Sequence, residues 1–273
     1  MERMDAIRAR RSVRTFDEKK ADRAVLEKIM DFARKVQNPY DISITWSLLD
    51  AKRDSLSSPV IVGTDDWIGG KMAQIPHAEE AFGYTFEKVV LYAWSLGIGT
   101  TWIAGTMDRQ AFEHAMRVKD GEVMPCVSPL GYPAKKMSIR ESLMRKGIRA
   151  EERAPFGELF FRGSFDTPLS PEDAGDFAVP LEMVRLGPSA VNKQPWRAVI
   201  DGNKVHFFVE HRKGYEPGKW DIQKIDMGIA LCHFEIGAEE SGIPVIFGIE
   251  RPDLSCPDDM EYIATYTIGS RKE

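Results

Sequence analysis

Two long apolar segments constrain the fold of this chain more than any other feature. Residues 77–96 and 224–241 each have the length of about five helical turns and carry apolar side chains on nearly every side. A helix of that kind lies in the centre of a core rather than at its surface. Both segments end in a Gly-Ile pair, at Gly97 and at Gly242, where glycine can adopt the left-handed conformation that ends a helix. We therefore predict two central helices in similar surroundings.

The pattern around these helices repeats in the same order. Each half of the chain reads as a helix, a tight turn with proline and an aromatic residue, two strands, the long helix and two further strands. The turn Asn38-Pro39-Tyr40 corresponds to Gln194-Pro195-Trp196, and the pair Leu130-Gly131 corresponds to Ile268-Gly269. A two-copy repeat can bury its long helices against each other, as a dimer does. We predict an α+β fold in which two related α+β halves pack as an intrachain pseudo-dimer.

The segment between the copies differs in composition. Residues 134–178 are rich in charged residues, Pro, Gly and Ser and lack sustained periodicity. We predict a connection there, with one short helix near Ile139–Met144. The boundary between the halves falls in this connection, so that the halves are residues 1–150 and 151–273.

Shorter patterns predict local structure. Asp201-Gly202-Asn203 lies between two apolar runs and predicts a β-hairpin. The run Pro59–Gly63 predicts a short buried strand. Loops that select the substrate are expected at residues 65–78 and 150–178.

Composition excludes several classes of function. The chain has 273 residues, of which 43% are hydrophobic, and this suits a folded protein with a sizeable core. A net charge of −5 provides no global field that attracts nucleic acid. No window approaches the roughly 20 apolar residues of a membrane helix, and the N-terminus has no apolar signal segment. We expect a cytoplasmic protein without nucleic-acid or membrane partners.

The cysteines and histidines indicate neither a metal site nor a catalytic triad. Cys126, Cys232 and Cys256 have a spacing that fits no zinc motif, and their odd number disfavours a disulfide framework. The five histidines lie near no nucleophile motif. We interpret His233, on the second long helix, as a hydrogen-bonded core residue.

Four clusters carry residues suited to cofactor binding. In the first, Arg10, Arg11, Ser12 and Arg14 fall within five residues. Guanidinium groups bind phosphate oxygens in pairs, and a hydroxyl adds a further donor. A solvated basic face at the end of a helix is the alternative interpretation.

The second cluster runs from Gly187 to Trp196, between a helix and a strand. Its Ser189, Asn192 and Gln194 offer short donors and acceptors that suit the edge of a heteroaromatic ring or a polyol. The alternative is a helix stop followed by an Asx turn.

The third and fourth clusters are less specific. Small residues in Gly97–Gly105 let backbone amides approach a ligand closely, although a plain turn explains them equally well. Gly131–Lys136, followed by Arg140, combines a strand end with cations that suit a phosphate, and an ordinary basic loop is its alternative.

Together the four clusters resemble one family over nearly the whole chain. The string Arg-Arg-Ser-Val-Arg-Thr-Phe from Arg10 resembles the opening motif of the nitroreductase-like flavoproteins, and the string from Pro188 to Trp196 resembles their second motif. Gly97–Gly105 is similar to their segment after the central helix, and Gly131–Pro133 to their late strand. This resemblance implies the FMN-dependent nitroreductase-like fold.

The chain departs from the usual pattern of that family in one respect. In ordinary members the second motif follows the opening motif after one helix, whereas here that position holds Val36–Tyr40, without the matching serine and asparagine. Because family sites lie between two subunits, the chain resembles such a dimer fused into one polypeptide, similar to the TM1586-type nitroreductases. The resemblance implies a monomer with one composite site, the mirror site being lost.

The resemblance also implies roles for individual residues. Arg10 and Ser12 would hold the FMN phosphate with Arg11 nearby, and Arg14 would face the pyrimidine edge of the flavin, where positive charge favours the reduced form. Further members of the expected site are backbone amides near the reactive edge of the flavin (Ile103, Ala104, Gly105), side chains from the second half (Ser189, Asn192, Gln194) and additional phosphate contacts (Lys135, Lys136, Arg140).

The implied chemistry is hydride transfer from NADH or NADPH to FMN, followed by reduction of a small-molecule acceptor in the same pocket. Family members reduce nitroaromatics, quinones and related acceptors by such ping-pong turnover, and the flavin does the chemistry, so no catalytic side chain is assigned. Three alternatives remain open. They are a specialised flavoenzyme such as a reductive dehalogenase or a flavin-degrading enzyme, a flavin carrier or sensor without turnover, and a nucleic-acid-binding module built on Arg10–Arg14.

Overall fold

The computed structural model describes residues 1–211, 214, 218–250 and 252–269. The described helices are α1 (Arg3–Ala9), α2 (Arg23–Lys35), α3 (Ala78–Ser95), α4 (Arg109–Ala115), α5 (Ile139–Gly147), α6 (Phe156–Leu159), α7 (Ala178–Arg185) and α8 (Ile222–Glu240). The described strands are β1 (Thr45–Asp50), β2 (Asp66–Ala73), β3 (Glu122–Val123), β4 (Val127–Leu130), β5 (Phe160–Arg162), β6 (Ser164–Pro168), β7 (Trp196–Asp201), β8 (Lys204–Glu210), β9 (Val245–Gly248) and β10 (Met260–Ile268).

The first half contains a four-stranded antiparallel sheet centred on β2. This strand pairs with β1 on one side and with β4 and β3 on the other. The expectation of a substrate-selecting loop at residues 65–78 is therefore wrong for residues 66–73. A methyl group on Gly70 would lie 2.5 Å from the ring of Trp46, so this glycine allows the strand to pass close to the aromatic core.

The second half contains a six-stranded sheet in the order β6-β5-β7-β8-β10-β9. Strands β5 and β7 run parallel, and the other described pairs are antiparallel. Strands β7 and β8 form the hairpin predicted at Asp201-Gly202-Asn203, and Gly202 has a φ of +58°.

The predicted connection over residues 134–178 is partly wrong. The short helix near Ile139–Met144 is confirmed as α5, but residues 156–168 form α6, β5 and β6, and these strands extend the second sheet. The rings of Phe156 and Phe160 meet edge to face at 4.6 Å and anchor this segment in the core. Strands of three and five residues are too short to show the alternation of polar and apolar residues that predicts a strand from the sequence.

The central helices α3 and α8 pack against each other through reciprocal glycine contacts. A methyl group on Gly83 would lie 2.0 Å from the carbonyl oxygen of Ile225, and one on Gly228 would lie 2.1 Å from the carbonyl oxygen of Glu80. Each glycine thus faces the residue three positions before the other glycine. Such reciprocity is typical of the self-complementary contact in a two-fold dimer.

The two helices also end alike, as the repeat predicts. Gly97 and Gly242 have φ values of +78° and +68°. The isoleucine after each glycine donates its N–H to the carbonyl oxygen five residues earlier, at 3.0 Å for Ile98 and 2.9 Å for Ile243. The α+β fold with two related halves is confirmed, and the boundary between residues 150 and 151 remains a prediction.

The run Pro59–Gly63 does not form the predicted buried strand. It makes a turn with a single bridge between Val62 and Thr15, and Val62 is 57% exposed. Gly63 has a φ of +94°, and a methyl group there would lie 2.2 Å from the carbonyl oxygen of Phe16. The chain must therefore turn where it meets the opening cluster.

Long membrane helices and metal clusters have no counterpart in the described part of the chain. None of its helices combines the length and apolar character needed to cross a membrane. Its His, Cys, Asp and Glu side chains form no group of three that could hold a metal ion. Cys126 and Cys232 are buried, Cys256 is exposed, and none of the three forms a disulfide.

Candidate functional site

Three of the four predicted clusters lie side by side. Val13 in the opening cluster donates its N–H to the carbonyl oxygen of Thr100 at 2.8 Å, and Gly99 donates to Gly131 at 2.8 Å. The opening cluster therefore runs next to the segment that follows α3, and that segment runs next to the end of β4. Backbone hydrogen bonds therefore hold these three segments next to one another.

Two arginines of the opening cluster have buried nitrogen atoms without a hydrogen-bond partner. These atoms are Nε of Arg10 and both Nε and Nη1 of Arg14. Burial lowers the pKa of both guanidinium groups, Glu87 opposes this effect at Arg10, and Glu141 opposes it at Arg14. Buried cations with unpaired donors are costly, and an anion placed between them offsets that cost.

Two further arginines, which the sequence analysis did not single out, complete this group. On α5, Arg145 directs Nη1 towards the carbonyl oxygen of Ser12 at 3.5 Å. Arg153 lies between α5 and α6 and has a buried Nε without a partner. Burial, together with the charges of Arg10, Arg185 and Arg145, lowers the pKa of Arg153 to about 10. We call Arg10, Arg14, Arg145 and Arg153 the arginine cluster.

Local hydrogen bonds hold α5 next to the opening cluster. Ser138 caps the helix by accepting the N–H of Glu141 at 3.1 Å, and its own N–H donates to the hydroxyl of Thr15 at 3.0 Å. The buried carboxylate of Glu141 forms an ion pair with Arg11 at 3.4 Å. Arg11 thus has an acidic partner within the protein, whereas Arg10 and Arg14 present unpaired donors.

The second-half cluster adopts a strained backbone. Ser189 accepts the N–H of Gln194 with its hydroxyl oxygen at 2.8 Å, and Ala190 donates to both carboxylate oxygens of Asp226 at 3.1 Å. Strain that is held by fixed hydrogen bonds is typical of functional sites. Three residues other than glycine have positive φ here: Val191 (49°), Asn192 (57°) and Gln194 (50°). A β-branched residue such as valine rarely adopts this conformation.

The side-chain amides of this cluster hold the segment that joins the halves, residues 148–155, which we call the linker. Asn192 donates to the carbonyl oxygens of Arg149 at 2.7 Å and Glu152 at 3.0 Å, and its Oδ1 accepts from Arg153 at 3.4 Å. The side-chain oxygen of Gln194 accepts the backbone N–H of Ala154 at 3.0 Å. The linker therefore connects the second-half cluster to the arginine cluster.

Comparison with known proteins identifies the family. A family model described as "Putative TM nitroreductase" matches residues 2–238. The chain belongs to this nitroreductase family. A solved structure described as a "putative nitroreductase" from Thermotoga maritima is similar over 98% of this chain and 93% of its own, with 20% identity and a TM-score of 0.63, and it shows the same fold. No curated protein matches the sequence.

Two other solved structures are similar to about half of this nitroreductase-family chain. One is described as an FMN-dependent nitroreductase from Clostridium difficile, with 16% identity over 52% of this chain and 94% of its own and a TM-score of 0.41. The other is an iodotyrosine deiodinase bound to FMN and 3-iodo-L-tyrosine, with 12% identity over 50% of this chain and 92% of its own and a TM-score of 0.42.

In the segment expected at the reactive edge of a flavin, Ile103–Gly105, some backbone groups already form hydrogen bonds within the protein. Ile103 is buried and exchanges two hydrogen bonds with Val127, at 2.9 and 3.0 Å. The carbonyl oxygen of Ala104 accepts from Arg109 at 2.6 Å. Gly105 is exposed, and a methyl group there would meet no atom within 4 Å, so open space lies in front of it.

The three cations expected as additional phosphate ligands lie at the surface. Lys135, Lys136 and Arg140 are exposed, and Arg140 donates to the carbonyl oxygen of Pro59 at 2.5 Å. No described hydrogen bond or ion pair joins them to the arginine cluster. Their role at a phosphate remains a prediction, while Arg145 is the cation that α5 places next to Ser12.

His233 is a hydrogen-bonded core residue, as predicted. Its Nδ1 lies 2.8 Å from the carbonyl oxygen of Met183, so Nδ1 carries a hydrogen, and its Nε2 lies 3.0 Å from Oε1 of Glu87. Trp102 donates to the other oxygen of Glu87 at 3.1 Å. The fully buried carboxylate of Glu87 thus joins the two central helices below Arg10.

The unpaired donors of the arginine cluster fit a phosphomonoester. A phosphate presents three strong acceptor oxygens and nearly two negative charges at neutral pH. The cluster presents unpaired buried N–H groups on Arg10, Arg14 and Arg153, and the half-buried Ser12 lies between Arg10 and Arg14 in the sequence. These donors come from the opening cluster and from the linker, and Asn192 and Gln194 of the second-half cluster hold the linker.

Proposed function

We propose that this protein is an FMN-dependent oxidoreductase. NADH or NADPH would deliver a hydride to the bound flavin, and a nitroaromatic, quinone or related small molecule would then be reduced in the same pocket. The observation that carries the proposal is the set of unpaired, buried guanidinium nitrogens beside a strained second-half loop. Family membership and the fold of the solved relative support it.

The residues of the chain have distinct tasks in this proposal. Arg10 and Ser12 would bind the phosphate, and Arg14 would place positive charge beside the flavin ring, where it favours the reduced cofactor. Bound FMN supplies the hydride chemistry itself. Ser189 retains a hydroxyl hydrogen for donation, because its oxygen is the acceptor for the N–H of Gln194.

We further propose that one composite site forms in each chain, between residues 1–150 and 151–273. The reciprocal contacts of Gly83 with Ile225 and of Gly228 with Glu80 hold the two central helices together without a second chain. The mirror position would lack a site, because Val36–Tyr40 has no serine or asparagine that matches Ser189 and Asn192. The protein would then act as a monomer.

Steady-state oxidation of NADH and NADPH by the FMN-loaded protein, with an added quinone, tests this function. We expect oxidation that depends on the acceptor, with parallel double-reciprocal lines, as ping-pong turnover requires. A protein that retains FMN but oxidises neither nucleotide would be a flavin carrier or sensor, and the oxidoreductase proposal would then be wrong.

Arg14→Met tests the site assignment. We expect FMN affinity to fall by about tenfold or more, because a charged hydrogen bond contributes about 1.5–3 kcal/mol. The flavin-free variant should be at least as stable as the wild type, since a half-buried cation with two buried, unpaired nitrogens is removed. Lys19→Met, at an exposed cation, is the control. Equal loss of affinity in both variants would contradict the assignment.

A further inference from the structure

The guanidinium group of Arg153 is held in place on two sides. Its Nη1 donates to the carbonyl oxygens of Ala150 at 3.1 Å and Glu152 at 2.9 Å, within the linker. Across the site, the group also donates to Oδ1 of Asn192 at 3.4 Å and to the carbonyl oxygen of Leu186 at 3.3 Å. Its Nε is buried and has no partner. The group is therefore oriented, and its Nε–H is left without an acceptor.

The charge of Arg153 also lacks a counterpart. Neighbouring linker and α5 cations have acidic partners: Arg145 pairs with Glu151 at 3.0 Å, and Arg149 pairs with Glu152 at 3.5 Å. Within the described residues, no carboxylate forms an ion pair with Arg153. The charges that lower its pKa are those of Arg10, Arg185 and Arg145. Arg153 is half-buried, and an external anion next to it would offset the cost of its unpaired charge.

We propose that Arg153 is a phosphate ligand that makes the site select FMN over riboflavin, which lacks the phosphate. This inference rests on the proposed function and extends it to a residue of the linker. Arg10 approaches the phosphate from the first half and Arg153 from the linker, which the second-half cluster holds through Asn192. In this proposal the linker lines the cofactor site in addition to joining the halves.

Binding of FMN and of riboflavin to the flavin-free protein, followed by flavin fluorescence, tests the proposal. For Arg153→Gln we expect the Kd for FMN to rise by about 10- to 100-fold and the Kd for riboflavin to change less than twofold. Arg153→Lys retains the charge and should recover part of the FMN affinity. Arg149→Gln is the matched control from the same linker, because the Arg149 side chain is 75% exposed; it should leave both affinities unchanged.

Two results would overturn the proposal. Equal weakening of FMN and riboflavin would mean that Arg153 only supports the Asn192 loop, and unchanged FMN affinity would mean that it does not touch the phosphate. Inorganic phosphate separates this proposal from the proposed function. If neither flavin binds, but phosphate raises the Tm of the wild type and not of Arg153→Gln, the flavoenzyme proposal fails and the anion site stands.

Discussion

The crossing of α3 and α8 offers a sharp test of the two-half architecture. An alanine at Gly83 or Gly228 would bring a carbon atom within 2.0 or 2.1 Å of a backbone oxygen on the other helix, where ordinary contact begins near 3.4 Å. A backbone oxygen cannot rotate away as a side chain can. The helices must therefore separate by roughly 1 Å, and the packing between the halves loosens.

The size of the effect follows from this geometry. Overpacking a core costs about 1–3 kcal/mol, and the backbone obstacle places Gly83→Ala near the upper value. Alanine has a better helix propensity than glycine, and this offsets about 1 kcal/mol of the lost stability. We expect a net loss of about 2 kcal/mol, which lowers the Tm by roughly 4–8 °C in a protein of this size. Gly228→Ala should give a similar loss.

Urea and thermal unfolding of the single and double variants provide the measurement. The double variant should lose less than the sum of the single losses, because one separation of the helices relieves both contacts. Gly147→Ala, in α5, is the control, since a methyl group there meets no atom within 4 Å. Our reasoning is refuted if Gly83→Ala is as stable as Gly147→Ala, or if the two losses add fully.

Two further predictions concern a buried acid and the linker. Burial raises the pKa of Glu80 from 4.5 to about 7. Between pH 4.5 and pH 7 the folded state therefore binds more protons than the unfolded state. The free energy of unfolding falls by about 3 kcal/mol as the pH rises through this interval. Glu80→Gln should match the wild type near pH 4 and be more stable above pH 7 in urea denaturation; a difference independent of pH would contradict this. Asn192→Ala should speed trypsin cleavage after Arg149 and Arg153, because it removes the hydrogen bonds that hold the linker. The control Asn203→Ala, in the β7–β8 hairpin, should leave this cleavage unchanged. Equal cleavage rates in the two variants would show that the Asn192 side chain does not hold the linker.

The long-range architecture was predictable because it depends on strong, extended patterns. The two central helices are apolar on nearly all sides, and each ends at a glycine that the structure places in the left-handed region. The hairpin at Asp201-Gly202-Asn203 follows from local turn chemistry. The repeat of these signals predicts that the two helices pack against each other, and the glycine contacts between them confirm this.

The missed strands have physical explanations. Strand β2 contains Gly69 and Gly70, which lower strand propensity, and it is buried on both sides, so its side chains do not alternate between polar and apolar. Its stability depends on packing against residues distant in sequence, such as Trp46. The strands β5 and β6 are too short for an alternation of polar and apolar residues to be recognised in the sequence.

The candidate site was only partly predictable for a similar reason. The opening and second-half clusters stand out because several polar groups suited to a cofactor fall within a few residues. Arg145 and Arg153 lie in a charge-rich segment, where a buried arginine and a solvated one look the same in sequence. Only the fold distinguishes them, since it places Arg153 among cations and Arg140 at the surface.

The number of FMN molecules bound per chain, measured together with the mass of the complex, tests the central claim most directly. Purified protein would be mixed with FMN and freed of excess by gel filtration, then examined by visible absorbance and light scattering. We predict a two-band flavin spectrum with one FMN per chain, in a particle with the mass of a single chain. Two FMN per chain, or FMN held only in a dimer of chains, would contradict the single composite site.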